Sequence, residues 1–172
     1  MSGGRGVMLI LGGLAATLLV IAVASGWQGA NRLRGQGEGV GEVEIAAQAF
    51  VEAYGTFDFR EADAYKARLL DLSTGEVWQT VSNSQVDPTA LGQQQTMTTD
   101  TTSVQVTAYS DTEATVSVST EQTRRAVDAV TGQLREQRLR QHVTLRLVPV
   151  AGRWLVAEFR LRSEAPIEST GR

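Results

Sequence analysis

Residues 143–161 read VTLRLVPVAGRWLVAEFRL, and this stretch decides the fold more than any other part of the chain. Val143, Leu145 and Leu147 alternate with polar residues, and apolar residues again occupy every second position from Leu155 onward. A period of two residues is typical of a strand with one apolar face. The stretch therefore predicts an antiparallel hairpin whose two strands turn their apolar faces toward one core.

The length of the loop between these strands decides which residues pair. A two-residue loop, Ala151-Gly152, would place Leu147 opposite Val156, and a slip of one residue turns every side chain to the other face of the sheet. A three-residue loop that also includes Val150 keeps the apolar residues together and gives Gly152 the left-handed conformation that such loops need. We therefore predict the three-residue loop, with the pairs Leu147–Leu155, Leu145–Ala157 and Val143–Phe159.

Upstream of the hairpin, from Thr96 onward, the sequence is rich in Thr, Val, Ser and Gln, a composition typical of strands. Two runs of alternating apolar residues, 104–108 and 114–118, predict two strands joined by a short turn. The apolar positions change parity before Val127, so we predict a bulge within Glu121–Arg125. With the closing hairpin, these segments predict four long strands in an antiparallel meander.

The sequence before Thr96 predicts helices. They cover Val43–Asp58, Arg60–Leu72 and Thr74–Val81, with a further helical segment from Pro88 to about Gln95. Asp87 is the predicted N-cap of the last segment and Pro88 its first residue, because Asp accepts hydrogen bonds from free backbone N–H groups and Pro lacks one. Helices followed by strands indicate an α+β fold with the helices on one face of a curved sheet. Such a sheet forms a cone with a pocket at its open end.

The segment Val7–Trp27 contains no charged residue. As a helix it would span roughly 31 Å, which matches a hydrocarbon core of about 30 Å, and Trp27 would serve as an interfacial anchor. The alternative is a cleaved signal peptide with an A-x-A site at 22–24. We favour the retained anchor, because the apolar run is long for a signal peptide. Flanking arginines do not decide the orientation, and the short N-terminal tail favours an exported domain.

The predicted fold class is α+β: an N-terminal transmembrane helix, then a cone-like domain of three or four helices packed on a curved four-stranded antiparallel sheet. The segments are a short cytoplasmic tail (1–6), a transmembrane anchor (7–27), a Gly-rich tether (28–42), the folded domain (43–162) and a flexible tail (163–172). Glycine and polar residues make the tether flexible, so the domain can reach away from the bilayer.

Composition and motifs narrow the function. The chain has no cysteine, which excludes a disulfide framework and a thiolate metal site, and its net charge of -3 argues against a nucleic-acid partner. The sequence contains no Gly-rich phosphate loop, nucleophile elbow or zinc-ligand spacing. We therefore assign no catalytic residue, no cofactor-binding residue, no metal ligand and no cofactor from the sequence.

Four polar residues require a choice between catalytic and structural interpretations. His142, the only histidine, has the chemistry of a proton shuttle, but no Asp or Cys partner accompanies it in a known motif. We interpret it as a solvated residue on a strand face. Asp58, Glu61 and Asp63 lie at a helix junction, where carboxylates favour the start of the next helix. Acid–base catalysis would need one of them buried, and we interpret them as capping and solvated.

Two larger groups of residues, one aromatic and one basic, each have a binding and a structural interpretation. Four aromatic residues have two interpretations: Tyr54, Tyr65, Trp78 and Trp154. They either line an apolar pocket or form part of the core, and we favour the core. Six arginines concentrate on the central strands: Arg124, Arg125, Arg135, Arg138, Arg140 and Arg146. They either bind anionic lipid headgroups or an acidic partner, or form salt bridges with the interleaved acids Glu121, Asp128 and Glu136. We favour the salt bridges.

The chain resembles the nuclear transport factor 2-like superfamily, and within it the membrane-anchored, exported group. The resemblance rests on FVEAY at Phe50–Tyr54, DTEATVSV at Asp111–Val118 and GRWLV at Gly152–Val156, together with the predicted anchor and tether. It covers about Val43–Leu161 and the anchor. Two families fit this pattern: Mce-associated membrane proteins, accessories to mammalian-cell-entry lipid transporters, and inner-membrane scaffold proteins of conjugation machines.

The resemblance implies a non-enzymatic interaction module, a scaffold or accessory subunit of an envelope transport or secretion complex. It implies a single-pass cell-membrane protein with an extracytoplasmic domain. The expected partners are the bilayer and protein subunits of the complex, with a second copy of the chain and lipid as further options. One alternative is a small-molecule or lipid-binding protein that uses the cone pocket; a less favoured one is an isomerase or hydrolase of this fold. An enzyme needs a buried carboxylate or histidine in the pocket, whereas a binder needs an apolar one.

Overall fold

The computed structural model describes residue 37 and residues 39–167. The chain forms two compact units, Met1–Gly39 and Val40–Arg172. The second unit contains the sheet and its core. The predicted anchor and most of the predicted tether lie outside the described residues. Among the helices that are described, none has the length and apolar character needed to cross a membrane.

Helices precede the four long strands of the sheet, as predicted. Helix α1 covers the described residues 39–55, followed by a 3₁₀ helix at Phe59–Glu61 and by α2 (Ala62–Asp71), α3 (Gly75–Asn83) and α4 (Pro88–Gly92). Residues 39–42 of the predicted tether belong to α1, and α4 ends earlier than predicted. The predicted start of α4 is confirmed, because the Asp87 side chain accepts a hydrogen bond from the Thr89 backbone N–H at 2.8 Å and Pro88 is the first residue.

The antiparallel sheet has five strands in the order β1-β2-β3-β4-β5, so the prediction of four strands is wrong. The strands are β1 (Phe57–Asp58), β2 (Thr96–Tyr109), β3 (Ala114–Val127), β4 (Leu134–Val150) and β5 (Arg153–Pro166). The additional strand, β1, contains only two residues and is too short to show an alternating pattern. The four long strands form the predicted meander, and β5 extends four residues into the predicted flexible tail.

The turn between β4 and β5 contains two residues, so the predicted three-residue loop is wrong. Ala151 (φ 50°) and Gly152 (φ 79°) both have positive φ, the conformation whose twist matches that of the flanking strands. The observed pairs are Val150–Arg153, Leu147–Val156, Arg146–Glu158, Leu145–Phe159 and Val143–Leu161. Ala157 is therefore an extra residue on β5. This bulge restores the parity that the short turn shifts, so both apolar faces reach the core.

The bulge predicted within Glu121–Arg125 is also wrong, because β3 and β4 pair without interruption along that stretch. The register shifts instead on β2, at Thr102 and Thr107. At each shift the threonine hydroxyl donates a hydrogen bond to a carbonyl oxygen of β3, at 3.0 Å for Thr102 and 3.1 Å for Thr107. The side chain thus replaces part of the backbone pairing that the bulge interrupts.

Bulges bend and twist a strand, and two on β2 curve this edge of the sheet over its concave face. Tyr109 at the end of β2 and Trp154 at the start of β5 approach to 5.9 Å between ring centroids. The two outer strands of the meander therefore meet at one end. This contact closes the narrow end of the cone.

The core lies between the concave face of the sheet and α1. The sheet contributes Ala114, Val116, Val118, Val143, Leu145, Leu147 and Val156, and α1 contributes Val43, Ala47, Phe50 and Val51. The predicted inward face of β4 is confirmed, because Val143, Leu145 and Leu147 are at most 2% exposed. On β5 the prediction is wrong at Leu155, because Val156 lies opposite Leu147 and is buried in its place. Side chains fill the narrow end of the cone. The open end, where α1 ends, is the place left for a binding site.

Candidate functional site

An apolar cleft opens in the helical layer at the open end of the cone. It encloses about 340 Å³. Its apolar lining comes from the end of α1, from β1, α2, α3, α4 and from the start of β2: Tyr54, Phe57, Tyr65, Leu69, Val81, Val86, Ala90 and Met97. The cleft therefore depends on the packing of helices that are distant from the sheet in sequence.

A second depression of about 210 Å³ lies beside the first, with Phe50, Val77 and Phe159 in its walls. The two depressions share Tyr54, Thr80 and Val81. The two depressions are therefore adjacent, with these residues between them. We call the two depressions together the helical cleft.

Aromatic rings make up much of the wall. The Tyr54 ring centroid lies 4.5 Å from that of Phe159, and Phe57 meets Tyr65 edge-on at 5.2 Å. Such pairs contribute about 0.5–1.5 kcal/mol each beyond their buried area. The Tyr65 hydroxyl donates a hydrogen bond to the Tyr54 carbonyl oxygen at 2.9 Å, which fixes α2 against the end of α1. These contacts give the cleft a defined shape.

Burial raises the pKa of both tyrosines of the cleft, because an ionised phenolate loses solvation there. The pKa of Tyr65 rises to about 12. For Tyr54, burial also raises the pKa, with nearby Glu164 adding to the effect and Arg124 opposing it. Both hydroxyls are therefore neutral at physiological pH and serve as hydrogen-bonding groups.

Lys66, the only lysine of the chain, lies in the cleft wall. Its Nζ donates hydrogen bonds to the carbonyl oxygens of Ser82 and Ser84 at 2.8 Å each. A cation at this end of α3 satisfies carbonyls that the helix leaves free and complements the helix dipole. Within the described part of the chain the ammonium pairs with no carboxylate. Its role is to close the end of α3.

A polar network lies inside the cone beside the cleft. Thr99 Oγ1 donates to the Gly55 carbonyl oxygen at 2.8 Å, and the buried Gln122 amide contacts both, at 3.3 Å to Thr99 and 3.4 Å to Gly55. Arg124 continues the network by donating to Gln122 Oε1 and pairing with Glu164 at 2.9 Å. The network fastens the end of α1 to the sheet.

Sequence reasoning missed this network, because Thr and Gln in a strand usually face solvent. The sequence does contain one indication that Gln122 is buried. Gln122 continues the inward register of Val116 and Val118, four residues further along the same strand face. Burial of that position follows from the register once the strand is known to run without a bulge.

Of the six predicted arginines, Arg124 belongs to the network inside the cone and pairs with Glu164, and the others lie on the convex face or at the tip of the β3–β4 hairpin. The salt-bridge interpretation is confirmed. The pairs on the convex face and at the tip of the β3–β4 hairpin are Arg125–Glu136, Arg135–Asp128, Arg138–Glu121, Arg140–Glu121, Arg146–Glu113, Arg146–Glu158 and Arg160–Glu158. Exposed pairs contribute roughly 0.2–1 kcal/mol or less each. Their main consequence is that little positive charge on this face is left for an anionic partner.

The polar residues considered for catalysis are not buried. His142 lies on the exposed convex face, with its Nδ1 2.8 Å from Ser119 Oγ, so its solvated interpretation is confirmed. Asp58 caps the 3₁₀ helix by accepting from the Arg60 backbone N–H at 2.9 Å. Glu61 lies 4.0 Å from Arg68. These contacts agree with the capping and solvated roles that were predicted.

The aromatic residues considered for a pocket divide into two groups. Tyr54 and Tyr65 line the helical cleft. Trp154 instead packs against Tyr109 at the narrow end, and Trp78 is 45% exposed on α3. Sequence analysis did not identify Val81 or Phe159 as cleft residues. Their apolar character suits the core equally well, and only the packing of α3 leaves them facing an opening.

Comparisons with known proteins bear on the fold. Neither protein-family models nor curated proteins give a match to the sequence. Among solved structures, the Agrobacterium tumefaciens VirB8 protein superposes with a TM-score of 0.53 at 12% identity, over 75% of this chain and 94% of that chain. An IcmL-like type IV secretion system protein from Legionella pneumophila superposes with a TM-score of 0.52 at 12% identity, over 77% of this chain and 96% of that chain.

A third solved structure, an Ntf2 like protein involved in plasmid conjugation, superposes with a TM-score of 0.51 at 14% identity. The match covers 76% of this chain and 51% of that chain, so this chain spans about half its length. As a likeness of fold, these matches confirm the predicted resemblance to proteins of conjugation machines. At such identities, what the three structures share with this chain is the fold.

Proposed function

We propose that this protein is a membrane-anchored, non-enzymatic interaction module, a scaffold or accessory subunit of an envelope secretion or conjugation complex. The observation that carries this proposal is the fold likeness to an IcmL-like type IV secretion system protein, because it extends over 96% of that chain. A domain that matches nearly all of a secretion-system chain supports a similar kind of role. Fold alone does not determine function, so the side chains inside the domain are the second line of support.

The interior supports an interaction role over catalysis. Its buried polar side chains, within the described residues, are Ser73, Thr120, Gln122 and Gln141. An acid–base enzyme of this fold would need a titratable group with a perturbed pKa inside its pocket. The carboxylates of the cleft lining are Glu76 and Asp87, and both are exposed. Its tyrosines, Tyr54 and Tyr65, have raised pKa values that keep their hydroxyls neutral.

The mechanism of such a module is tethered presentation. The predicted anchor and tether would hold the domain near the bilayer, which raises its effective concentration for a neighbouring subunit. A bound neighbour would then stay assembled without a high intrinsic affinity.

The direct test is affinity capture of the full-length protein from native membranes, with mass spectrometry of the eluate. We expect secretion, conjugation or lipid-transport subunits in near-stoichiometric amounts. A monomeric protein without protein partners, after capture under several mild extraction conditions, would contradict the proposal.

The extracytoplasmic location has its own test. The chain has no cysteine, so a single Asp111→Cys substitution gives one reactive thiol. Asp111 suits this purpose because it is exposed in the β2–β3 turn, whereas neighbouring Ser110 hydrogen-bonds to Glu113. We expect a membrane-impermeant thiol reagent to label this variant in intact cells. Labelling only after cell lysis would place the domain in the cytoplasm and contradict the exported orientation.

The helical cleft favours a second candidate, a small-molecule or lipid-binding protein. A volume of about 340 Å³ with apolar walls has the size and character of a ligand pocket. Native mass spectrometry of the captured protein separates the candidates. A stoichiometric small molecule or lipid, released by a Val81→Trp substitution that fills the cleft, would support this second function.

A further inference from the structure

The charges of this domain are divided unevenly between its helices and its sheet. Residues 40–92, which contain the helices, hold nine acidic and three basic residues, whereas residues 93–167, which contain the long strands, hold eight acidic and nine basic residues. The helical layer is therefore strongly negative, and the sheet is close to neutral. The helical cleft opens within the negative layer.

Two carboxylates line this cleft, and a third lines a neighbouring depression. Glu76 lines its smaller depression and Asp87 its larger one, and Asp63 lines a shallow surface depression that shares Val86 with the cleft. All three side chains are exposed. None forms an ion pair with an arginine or lysine of the described residues, although most arginines of the sheet are paired.

The structure assigns this cleft to a particular kind of partner: we propose that it binds a basic amphipathic helix of a neighbouring protein subunit. The inference rests on the proposed function and names the chemistry of the partner. Apolar side chains one helical turn apart would enter the two adjacent depressions on either side of Val81 and Tyr54. Lysines or arginines on the flanks of that helix would meet Asp63, Glu76 and Asp87.

The charge of the rim separates this partner from an anionic lipid. Carboxylates around an apolar opening repel phosphate headgroups and an anionic bilayer surface, which attract basic segments. Lys66, the cation of the cleft wall, already donates to Ser82 and Ser84. The site thus combines an apolar floor with a negative rim, which complements a helix with one apolar face and basic flanks.

A designed peptide can probe the cleft while the natural partner is still unidentified. The probe is an 18-residue helix of leucine and lysine at amphipathic spacing, with one photoreactive group among the leucines. Two control peptides replace every lysine by glutamate or scramble the order. After irradiation with the full-length protein, we expect the basic helix to form adducts within Tyr54–Tyr65 and Thr80–Asp87. Both controls should give at least tenfold less adduct.

Charge variants test the rim without altering the fold. Glu76→Gln with Asp87→Asn removes two cleft carboxylates, and Asn keeps the N-cap of α4. The matched control is Asp100→Asn with Asp111→Asn, two exposed sheet carboxylates that also form no ion pair with the described residues. We expect the rim variant to bind the basic helix about tenfold more weakly at low salt and the control to bind it unchanged.

Three results would overturn the proposal: adducts on the convex sheet face, equal binding of the glutamate peptide, or equal losses in the rim variant and its control. Affinity capture with the same variants separates this proposal from the proposed function. If the rim variant no longer binds the peptide but still captures envelope subunits, the cleft is not the binding site, and the proposed function stands. Peptide binding at the cleft, with no subunit captured by any variant, would reject the function.

Discussion

Thr99 Oγ1 donates a hydrogen bond to the Gly55 carbonyl oxygen at 2.8 Å, and this contact joins the end of α1 to β2. A Cβ atom added at residue 55 would lie 1.9 Å from that hydroxyl oxygen and 2.6 Å from the Thr99 Cβ. Glycine is therefore required by the close approach of the two elements. The contact also holds Tyr54, the residue before Gly55, in the wall of the helical cleft.

The Gly55→Ala substitution should lower the free energy of unfolding by about 1–3 kcal/mol, because the strand or the helix must shift to admit the methyl group. The matched control is Gly41→Ala in the same helix. An added Cβ at Gly41 meets nothing within 4 Å, so that variant should gain roughly 0.5–1 kcal/mol from helix propensity. Urea unfolding measures both. Equal effects would show that the approach of β2 does not constrain residue 55.

Ala151 at the tip of the closing hairpin should be replaceable with a gain in stability. It adopts a φ of 50°, a conformation that costs a residue with a Cβ roughly 1–2 kcal/mol. Asn tolerates it better, and Asn-Gly is the preferred sequence for a two-residue turn of this kind. The Ala151→Asn variant should therefore unfold at a higher urea concentration. A Gly152→Ala variant serves as the opposite control and should be destabilised, because φ is 79° there.

Tyr65 should contribute to stability through its hydroxyl. The Tyr65→Phe variant loses the hydrogen bond to the Tyr54 carbonyl oxygen, and we expect a loss of about 1 kcal/mol at pH 7. The folded-state pKa of Tyr65 is raised to about 12. A raised pKa stabilises the fold below the unfolded value of about 10, and this contribution is lost as the pH rises toward 12.

Unfolding measured at pH 7, 10 and 11.5 should therefore show the wild type approaching the Tyr65→Phe variant in stability. A constant difference between the two proteins at all three values would contradict the assigned environment of the hydroxyl.

Asp128 should make the hairpin tip sensitive to acid. Hydrogen bonds from the Thr131 and Val130 backbone N–H groups, at 2.8 and 3.0 Å, lower the pKa of its carboxyl group. A lowered pKa stabilises the fold above the unfolded value of about 3.9, and the contribution is lost as the pH falls through the folded value. The advantage of the wild type over Asp128→Asn should be complete at pH 7 and shrink below about pH 4. An advantage that grows on acidification would contradict this account.

The closing hairpin shows which features a local sequence pattern can predict and which it cannot. Alternation correctly assigned the inward faces of Val143, Leu145 and Leu147. It could not assign the loop, because a longer loop and a short loop with a bulge give Phe159 the same inward face and differ only between the turn and the bulge. The bulge at Ala157 is decided by tertiary packing. The segment Leu72–Thr74 pairs with Val156 across the edge of the sheet, and Gly75 approaches Ala157 there.

The candidate site was predicted only in part for the same reason. Tyr54 and Tyr65 were named from the sequence as pocket or core residues, and they line the cleft. Val81 and Phe159 have the same apolar character as any core residue. Whether such a residue faces the core or an opening depends on where helices distant in sequence come to rest, and no local pattern contains that information.

By itself, the sequence determined the α+β class, the order of the helices and the long strands, the inward face of β4 and the salt-bridged character of the sheet. These follow from periodicity and charge within short stretches of chain. The tertiary structure alone decided the two-residue turn, the bulges on β2, the pairing of β1, the network around Gln122 and the helical cleft. Each of these arises where elements from separate parts of the chain meet, and the free energy of that contact overrides or completes the local preference.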